Sequence, residues 1–368
     1  MEPCRTPKIT MPKLDYYPQH FRRTRPYQKD FVAEATAGSE RGFTRRNAGS
    51  NIAMKAITAA WSRSATPAPP LSAVKVIPEL QGALAFGEWV LGGSVLYEFE
   101  PALVEALVHS DPGEVRLEDL NHPFDTVYFA FGEGHNMAFA SGAKVTGAYV
   151  LNTPGVSLRV VLTAPLPEGE SWWNRNVEIY DILIPAEYLS LPLAEAIDLS
   201  IKKDIEGFIE QAHRSSKPRP PEELADIREA VERMLANQTA YAHAVRLIVN
   251  GLLYVTAYQQ DVRERWQADT PAKWVEKVSK GSPKEIARNL SKLNAMGYSK
   301  VHRVGEYFAA QSAVTERAAH WRRGHWRNQA FGPAMSQRRL RWIRPVAVLG
   351  GRIPDEEPRV YEVPLTAA

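Results

Sequence analysis

The middle of the chain carries short apolar runs in which apolar and polar positions tend to alternate, a pattern typical of β-strands. Between residues 74 and 184 these runs are separated by glycine, proline or asparagine. Their spacing predicts an antiparallel meander, and Gly92 and Gly93 predict a hairpin or bulge after a strand at residues 89–91. A short helix that begins with proline is predicted at residues 101–108. The other predicted strands are residues 94–99, 126–131, 147–151, 157–162 and 177–184.

After residue 191 the apolar period changes to three or four residues, which is the period of an amphipathic helix. A proline-rich break at residues 217–221 precedes two further helical segments, the second of which runs from residue 239 to about residue 259. Helix starts with proline at the first position follow at Thr270 and Ser282. We therefore expect a helical layer over residues 191–296. Its first apolar stripe consists of Leu193, Ile197, Ile201, Ile205 and Phe208.

The C-terminal region combines arginine and tryptophan at a density that an ordinary core does not accommodate. From Arg317 to Arg344 there are eight arginines, two histidines and three tryptophans, with no acidic residue. Guanidinium groups are rigid forks of hydrogen-bond donors that suit phosphates and carboxylates, and the aromatic rings offer stacking surfaces. Strand alternation along residues 339–348 places Trp342 on a buried face and Arg339 and Arg341 on the opposite face.

Together these patterns predict an α+β fold: a mostly antiparallel sheet packed against a helical layer, with a basic C-terminal strand pair that completes the sheet. Prolines are expected to prevent regular structure in the first 28 residues, so this arm should be dispensable for folding. The predicted regions are a basic, proline-rich arm with one helix at residues 51–61 (1–70), a β-rich region (71–190), a helical region (191–297), and an arginine- and tryptophan-rich region with a tail (298–368).

Composition adds limits on location and chemistry. The net charge of +3 over 368 residues shows that the basic character is local, and it lies in the arm and the C-terminal region. The single cysteine, Cys4, excludes a disulfide within the chain and a multi-cysteine zinc site. Arg246 and Asn250 interrupt the most apolar stretch, and the N-terminus has no apolar signal core. We therefore expect a cytoplasmic protein without a membrane partner.

The sequence contains no phosphate-binding glycine loop, no dinucleotide fingerprint and no Gly-x-Ser-x-Gly elbow. His320 and His325 have no carboxylate close to them along the sequence, so we expect neither a metal nor a cofactor. The same two histidines, lying among arginines, are compatible with acid–base cleavage of RNA, because histidine titrates near neutrality and arginine stabilises a phosphorane. An RNA-cleaving enzyme is therefore the alternative to a binding protein, and the binding protein is preferred.

Two stretches carry a resemblance to a known family. The segment Ala319-His-Trp-Arg-Arg-Gly-His-Trp-Arg-Asn328, followed by Arg341-Trp-Ile-Arg-Pro-Val-Ala-Val348, resembles a C-terminal signature of phage and plasmid proteins. In particular it resembles the second described family of type V-A anti-CRISPR proteins, which lower the level of the type V-A CRISPR effector nuclease. Weaker matches in the same order extend the resemblance to residues 85–350, and residues 1–70 have no counterpart.

The resemblance implies an anti-CRISPR protein of a mobile genetic element, acting in the cytoplasm of the bacterial host by recognition. It implies that the N-terminal segment of the effector is recognised during synthesis, with translation-coupled loss of the effector's messenger RNA. A peptide groove suits the first task and an arginine-rich surface holding RNA or the ribosome suits the second. A phage or plasmid protein with another RNA or peptide target stays open. The residues expected to bind are His320, Trp321, Arg322, Arg323, His325, Trp326, Arg327, Arg339 and Arg341.

Overall fold

The computed structural model of the protein describes most of the chain between residues 16 and 348. The described ranges are 16–24, 73–113, 115–132, 135–165, 179–213, 221–267, 269–296, 298–312 and 320–348. The helix predicted at residues 51–61 and the C-terminal tail lie outside these ranges. None of the described helices has the length and the apolar composition that a membrane crossing requires.

Helices and strands are numbered in chain order over the described residues. The helices are α1 (Tyr17–Thr24), α2 (Ala73–Leu91), α3 (Pro101–Val108), α4 (Leu193–His213), α5 (Pro221–Ala236), α6 (Gln238–Ala257), α7 (Ala272–Lys280), α8 (Pro283–Ala295) and α9 (Glu306–Ser312). The strands are β1 (Leu96–Phe99), β2 (Ser110–Asp111), β3 (Thr126–Ala130), β4 (Gly147–Thr153), β5 (Ser157–Thr163), β6 (Ile179–Pro185), β7 (Val262–Trp266), β8 (Lys300–Val304), β9 (His320–Arg322), β10 (Gly324–Phe331), β11 (Gln337–Ile343) and β12 (Val346–Val348).

A seven-stranded sheet with the order β6-β5-β4-β3-β1-β8-β7 forms the centre of the fold. Strands β3 to β6 pair as the predicted antiparallel meander. Strand β1 differs, because it runs parallel to both of its neighbours and places Tyr97 beside Phe129 of β3 and His302 of β8. The α+β class with a mostly antiparallel sheet is confirmed.

Both faces of this sheet are covered, which explains why its inner strands are apolar at nearly every position. All five residues of β3 are buried. Val127 and Phe129 face a core formed with α3, α4 and α6. Tyr128 and Ala130 face a second core formed with α1 and α2. The helical layer predicted after residue 191 therefore covers only one face, and segments from before residue 92 cover the other.

The strand predicted at residues 89–91 is wrong, because these residues form the last turn of α2. Trp89 packs on Phe86 and Tyr149, and its indole N–H donates to the carbonyl of Val95 at 2.7 Å. Gly92 and Gly93 end the helix, with Gly93 in the left-handed region at φ +97°. A short apolar run carries no periodicity that separates a buried helix from a buried strand, so the tertiary contacts decided this element.

The N-terminal segment also departs from the prediction. Helix α1 forms with Pro18 in its first turn, where a missing N–H leaves no intrahelical bond unmade. Phe21 is fully buried and its ring lies 5.0 Å from that of Phe86. Gln19 donates to Ser299 at 2.6 Å and exchanges hydrogen bonds with Gln267. The expectation that prolines prevent regular structure here is wrong for α1, which packs on the body.

The C-terminal strands do not complete the large sheet, contrary to the expectation. Strands β10 and β11 form an antiparallel hairpin that joins β2 in a separate three-stranded sheet, and β9 pairs with β12. The edge strand β7 exposes Arg263, Glu264 and Arg265, so the middle of this edge is charged and does not suit the tryptophans of the hairpin. The hairpin packs instead against α6, whose side chains are buried along most of its length.

Candidate functional site

The candidate site is the β10–β11 hairpin, whose two faces have different surroundings. Its connecting turn contains Gly332 at φ +78° and the left-handed residues Ala334 and Met335. The strands pair so that Trp326 lies directly opposite Trp342. The two indoles are stacked, with ring centroids 6.0 Å apart and an angle of 19° between their planes. Both are buried, so we call the side of the hairpin that carries them its inner face.

Each buried indole N–H on the inner face has a hydrogen-bond acceptor, as buried polar groups require. The N–H of Trp326 donates to Oδ1 of Asn250 on α6 at 2.9 Å. The Asn250 amide in turn donates to the carbonyls of Leu107 and Ser110, both at 3.0 Å. The N–H of Trp342 donates to Oγ of Ser110 at 2.9 Å. These contacts fix the hairpin to the helical side of the core.

A hydrogen-bond network centred on Asp261 links the region of the tryptophans to α9. Tyr254 meets Trp342 edge-on at 5.6 Å and donates its hydroxyl to Asp261 at 2.7 Å. The Asp261 carboxylate also accepts the backbone N–H groups of Tyr307 at 2.8 Å and Phe308 at 3.3 Å. Burial, followed by the hydrogen bond to Asp261, raises the pKa of Tyr254 above its usual range. The phenol therefore stays protonated and remains the donor in this network.

Gly324 allows the hairpin to approach the body closely. A Cβ atom at this position would lie 2.7 Å from Cδ of Pro345 and 2.7 Å from Oγ of Ser110, which leaves no room for a side chain. Its backbone N–H donates to the carbonyl of His109 at 3.0 Å. The glycine within the first stretch of the signature, Ala319 to Asn328, is thus a packing requirement.

The outer face of the hairpin is exposed and basic. Strand register sets His325 opposite Ile343, Arg327 opposite Arg341, and Gln329 opposite Arg339. The Arg341 guanidinium donates to Oε1 of Gln329 at 3.2 Å, and that of Arg339 lies 5.2 Å from the centre of the Phe331 ring. We define the outer arginine face as Arg327, Arg339 and Arg341.

Carboxylates are scarce around this face. Within the described ranges, none of the three arginines of the outer arginine face has an ion pair, whereas Arg159 and Arg303 each have carboxylates around them. The nearest acidic contact is at the edge of the hairpin, where the exposed Arg323 lies 3.5 Å from Asp111. Among the described residues, therefore, no carboxylate neutralises the positive charge of the outer arginine face.

Residues 97–350 match the family described as AcrVA2-like, the anti-CRISPR type V subtype A2 family. The chain belongs to this family. The family resemblance found in the C-terminal signature is thereby confirmed. The AcrVA2-like chain is an anti-CRISPR protein directed at type V-A systems and their effector. Among solved structures, the crystal structure of AcrVA2 is similar, with a TM-score of 0.45 and 14% identity over 90% of this chain and 97% of that chain. No curated protein sequence matches the chain.

The structure of this AcrVA2-like chain brings five of the nine predicted binding residues together at the exposed part of the hairpin. They are Arg323, His325, Arg327, Arg339 and Arg341. Trp326 lies instead on the inner face, so its indole is not part of the exposed surface. Strand β9 consists of His320, Trp321 and Arg322 and pairs with β12. The structure describes the backbone of these three residues and not their side chains. The assignment of these residues to binding stays a prediction.

The sequence did not indicate the groups that hold the hairpin in place. Asn250 was visible only as a polar interruption of an apolar helix, and Ser110 gave no signal. The sequence also did not indicate that Asp111 lies opposite His325, which follows from the pairing of β2 with β10. Within the described part of the chain, no three or more His, Cys, Asp or Glu side chains are grouped to hold a metal ion. The expectation of no metal and no cofactor stays a prediction.

Proposed function

We propose that this protein blocks type V-A CRISPR immunity by recognising the N-terminal segment of the effector nuclease during its synthesis, in the cytoplasm of the bacterial host. Recognition lowers the messenger RNA and the protein level of the effector. The observation that carries the proposal is family membership over residues 97–350. A hairpin that is anchored on one face, and whose arginines on the other face pair with no described carboxylate, supports it, since such a face suits recognition of an external partner.

The proposal is tested in cells that express the effector with or without this protein. Effector messenger RNA and effector protein are measured for a wild-type gene, for a gene whose first codons are replaced by synonymous codons, and for a gene whose first amino acids are changed. We expect loss of messenger RNA for the first two genes and none for the third. The proposal fails if synonymous recoding protects the transcript, because recognition would then be of nucleotides.

A second candidate is the RNA-cleaving enzyme that uses His320 and His325. The observation that favours it is the register of β2 and β10, which sets Asp111 opposite His325, whereas the sequence around His325 contains no carboxylate. The enzyme predicts that purified protein alone shortens an RNA and that His325→Ala abolishes the cleavage. The binding protein predicts intact RNA in the same incubation, with loss of the transcript only during translation.

A further inference from the structure

The outer arginine face contains an arrangement that the fold alone does not favour. Arg327 and Arg341 are directly opposite each other on neighbouring strands, and like charges at such positions are destabilising. Neither has an ion pair with a described carboxylate that would offset the repulsion, and the hydrogen bond that Arg341 donates on this face goes to the neutral amide of Gln329. Repulsion of this kind is relieved when an anion binds between the two guanidinium groups.

The hairpin holds this array in a fixed geometry. A shift of one residue in register would turn the tryptophans outwards and the arginines inwards. The hydrogen bonds of Trp326 to Asn250 and of Trp342 to Ser110 prevent that shift. Residues i and i+2 on one face of a strand are about 6.6–6.8 Å apart, so Arg339 and Arg341 form a short row of cations, with Arg327 beside it. The positions of the three arginines along the two strands are therefore fixed before a ligand binds.

Flat and apolar groups lie at both ends of this row. Phe331 lies beneath the guanidinium of Arg339, and the exposed Ile343 lies opposite the exposed His325. Surfaces that combine a row of cations with ring systems suit single-stranded nucleic acids, since phosphates follow the cations and bases stack on aromatic or guanidinium planes. An acidic peptide would use the cations and would gain little from the flanking rings.

We propose that the outer arginine face binds the phosphate backbone of single-stranded RNA. The choice of RNA over single-stranded DNA, which shares the phosphate chemistry, rests on the proposed function, in which a transcript is the molecule that is lost. Binding follows the release of counterions, so affinity falls with salt in proportion to the number of phosphates contacted. Arg323 contributes less than the other arginines, because Asp111 lies beside it at the edge of the hairpin.

The test measures binding of a fluorescein-labelled oligouridine RNA of about 20 nucleotides by fluorescence anisotropy, between about 50 and 200 mM KCl. The full chain is compared with the double variant Arg327→Ala, Arg341→Ala. Loss of two phosphate contacts should weaken binding about 25-fold near 100 mM salt and reduce the slope of log affinity against log salt by about 1.4. The melting temperature should be unchanged or slightly higher, because a like-charge pair is removed.

The matched control is the double variant Arg228→Ala, Arg263→Ala, which removes the same net charge from two exposed arginines outside the hairpin. It should bind RNA within about twofold of the wild type. The proposal is overturned if wild-type protein does not bind, if the hairpin variant binds like wild type, or if both double variants weaken binding equally. It is also overturned if an oligoglutamate peptide displaces the RNA as efficiently as unlabelled oligouridine does, since any polyanion would then suffice. Equal displacement by oligodeoxythymidine would overturn the choice of RNA over DNA.

Two measurements on the same variants distinguish failure of the RNA-binding proposal from failure of the proposed function. The first is capture of the effector's N-terminal peptide, and the second is the level of effector messenger RNA in cells. The proposal expects the hairpin variant to retain peptide capture while transcript loss disappears. If wild-type protein neither captures the peptide nor lowers the transcript, the proposed function fails, whatever the result of the RNA-binding assay.

Discussion

Asn250 provides the sharpest test of how the hairpin is attached to the body. The side chain is 1% exposed and makes three hydrogen bonds, to the Trp326 indole at 2.9 Å and to the carbonyls of Leu107 and Ser110 at 3.0 Å each. The substitution Asn250→Ala removes all three bonds. It leaves the indole N–H buried without an acceptor and creates a small void.

The expected loss follows from these contacts. A net contribution of about 1 kcal/mol for each hydrogen bond gives about 3 kcal/mol of lost unfolding free energy, and an orphaned donor can add to this. Trp326→Phe keeps an aromatic ring but removes the N–H. A double-mutant cycle between the two substitutions should therefore give a coupling energy of about 1 kcal/mol, because only the Asn250–Trp326 bond is shared.

Urea unfolding followed by tryptophan fluorescence and by circular dichroism gives the free energies, and agreement between the two signals checks two-state behaviour. Asn136→Ala, at an exposed position, is the control and should change the free energy by less than about 0.5 kcal/mol. A loss below about 1 kcal/mol for Asn250→Ala, or a coupling energy indistinguishable from zero, would show that Asn250 does not anchor the hairpin.

Three further predictions concern stability. Trp342→Ala should lower the unfolding free energy by about 3–5 kcal/mol in urea unfolding, since a buried aromatic ring is removed; a variant as stable as wild type would contradict the burial. Phe21→Ala should also lower it, by about 3 kcal/mol, because Phe21 packs on Phe86; an unchanged melting temperature would show that α1 does not dock. Burial raises the pKa of Asp204 to about 7. The contribution of this carboxyl to the free energy of unfolding is therefore fully present below about pH 4, where the unfolded carboxyl is also protonated. It is lost as the pH rises through 7. Asp204→Asn should therefore be more stable than wild type by about 1–3 kcal/mol at pH 8, with no gain near pH 4, and thermal melts at both pH values decide this.

Local patterns in the sequence determined those elements whose signals are contained within a few residues. Alternation and turn residues indicated the meander of β3 to β6, and a proline at the first position indicated α3. Parity along residues 339–348 placed Trp342 on the buried side, where the structure has it 4% exposed. Such features are readable because strand and helix periods relate side chains that are close along the chain. The C-terminal signature also led to the family, which the match over residues 97–350 confirmed.

Only the tertiary structure decided the features that depend on distant partners. Trp326 was assigned to a binding surface, but its acceptor Asn250 lies 76 residues away along the chain, and its pairing with Trp342 makes the inner face. The last turn of α2, residues 89–91, was taken for a strand because a short apolar run fits either element when both faces of a sheet are covered. Burial depends on which distant segment packs against a residue, and the sequence around that residue does not identify this segment.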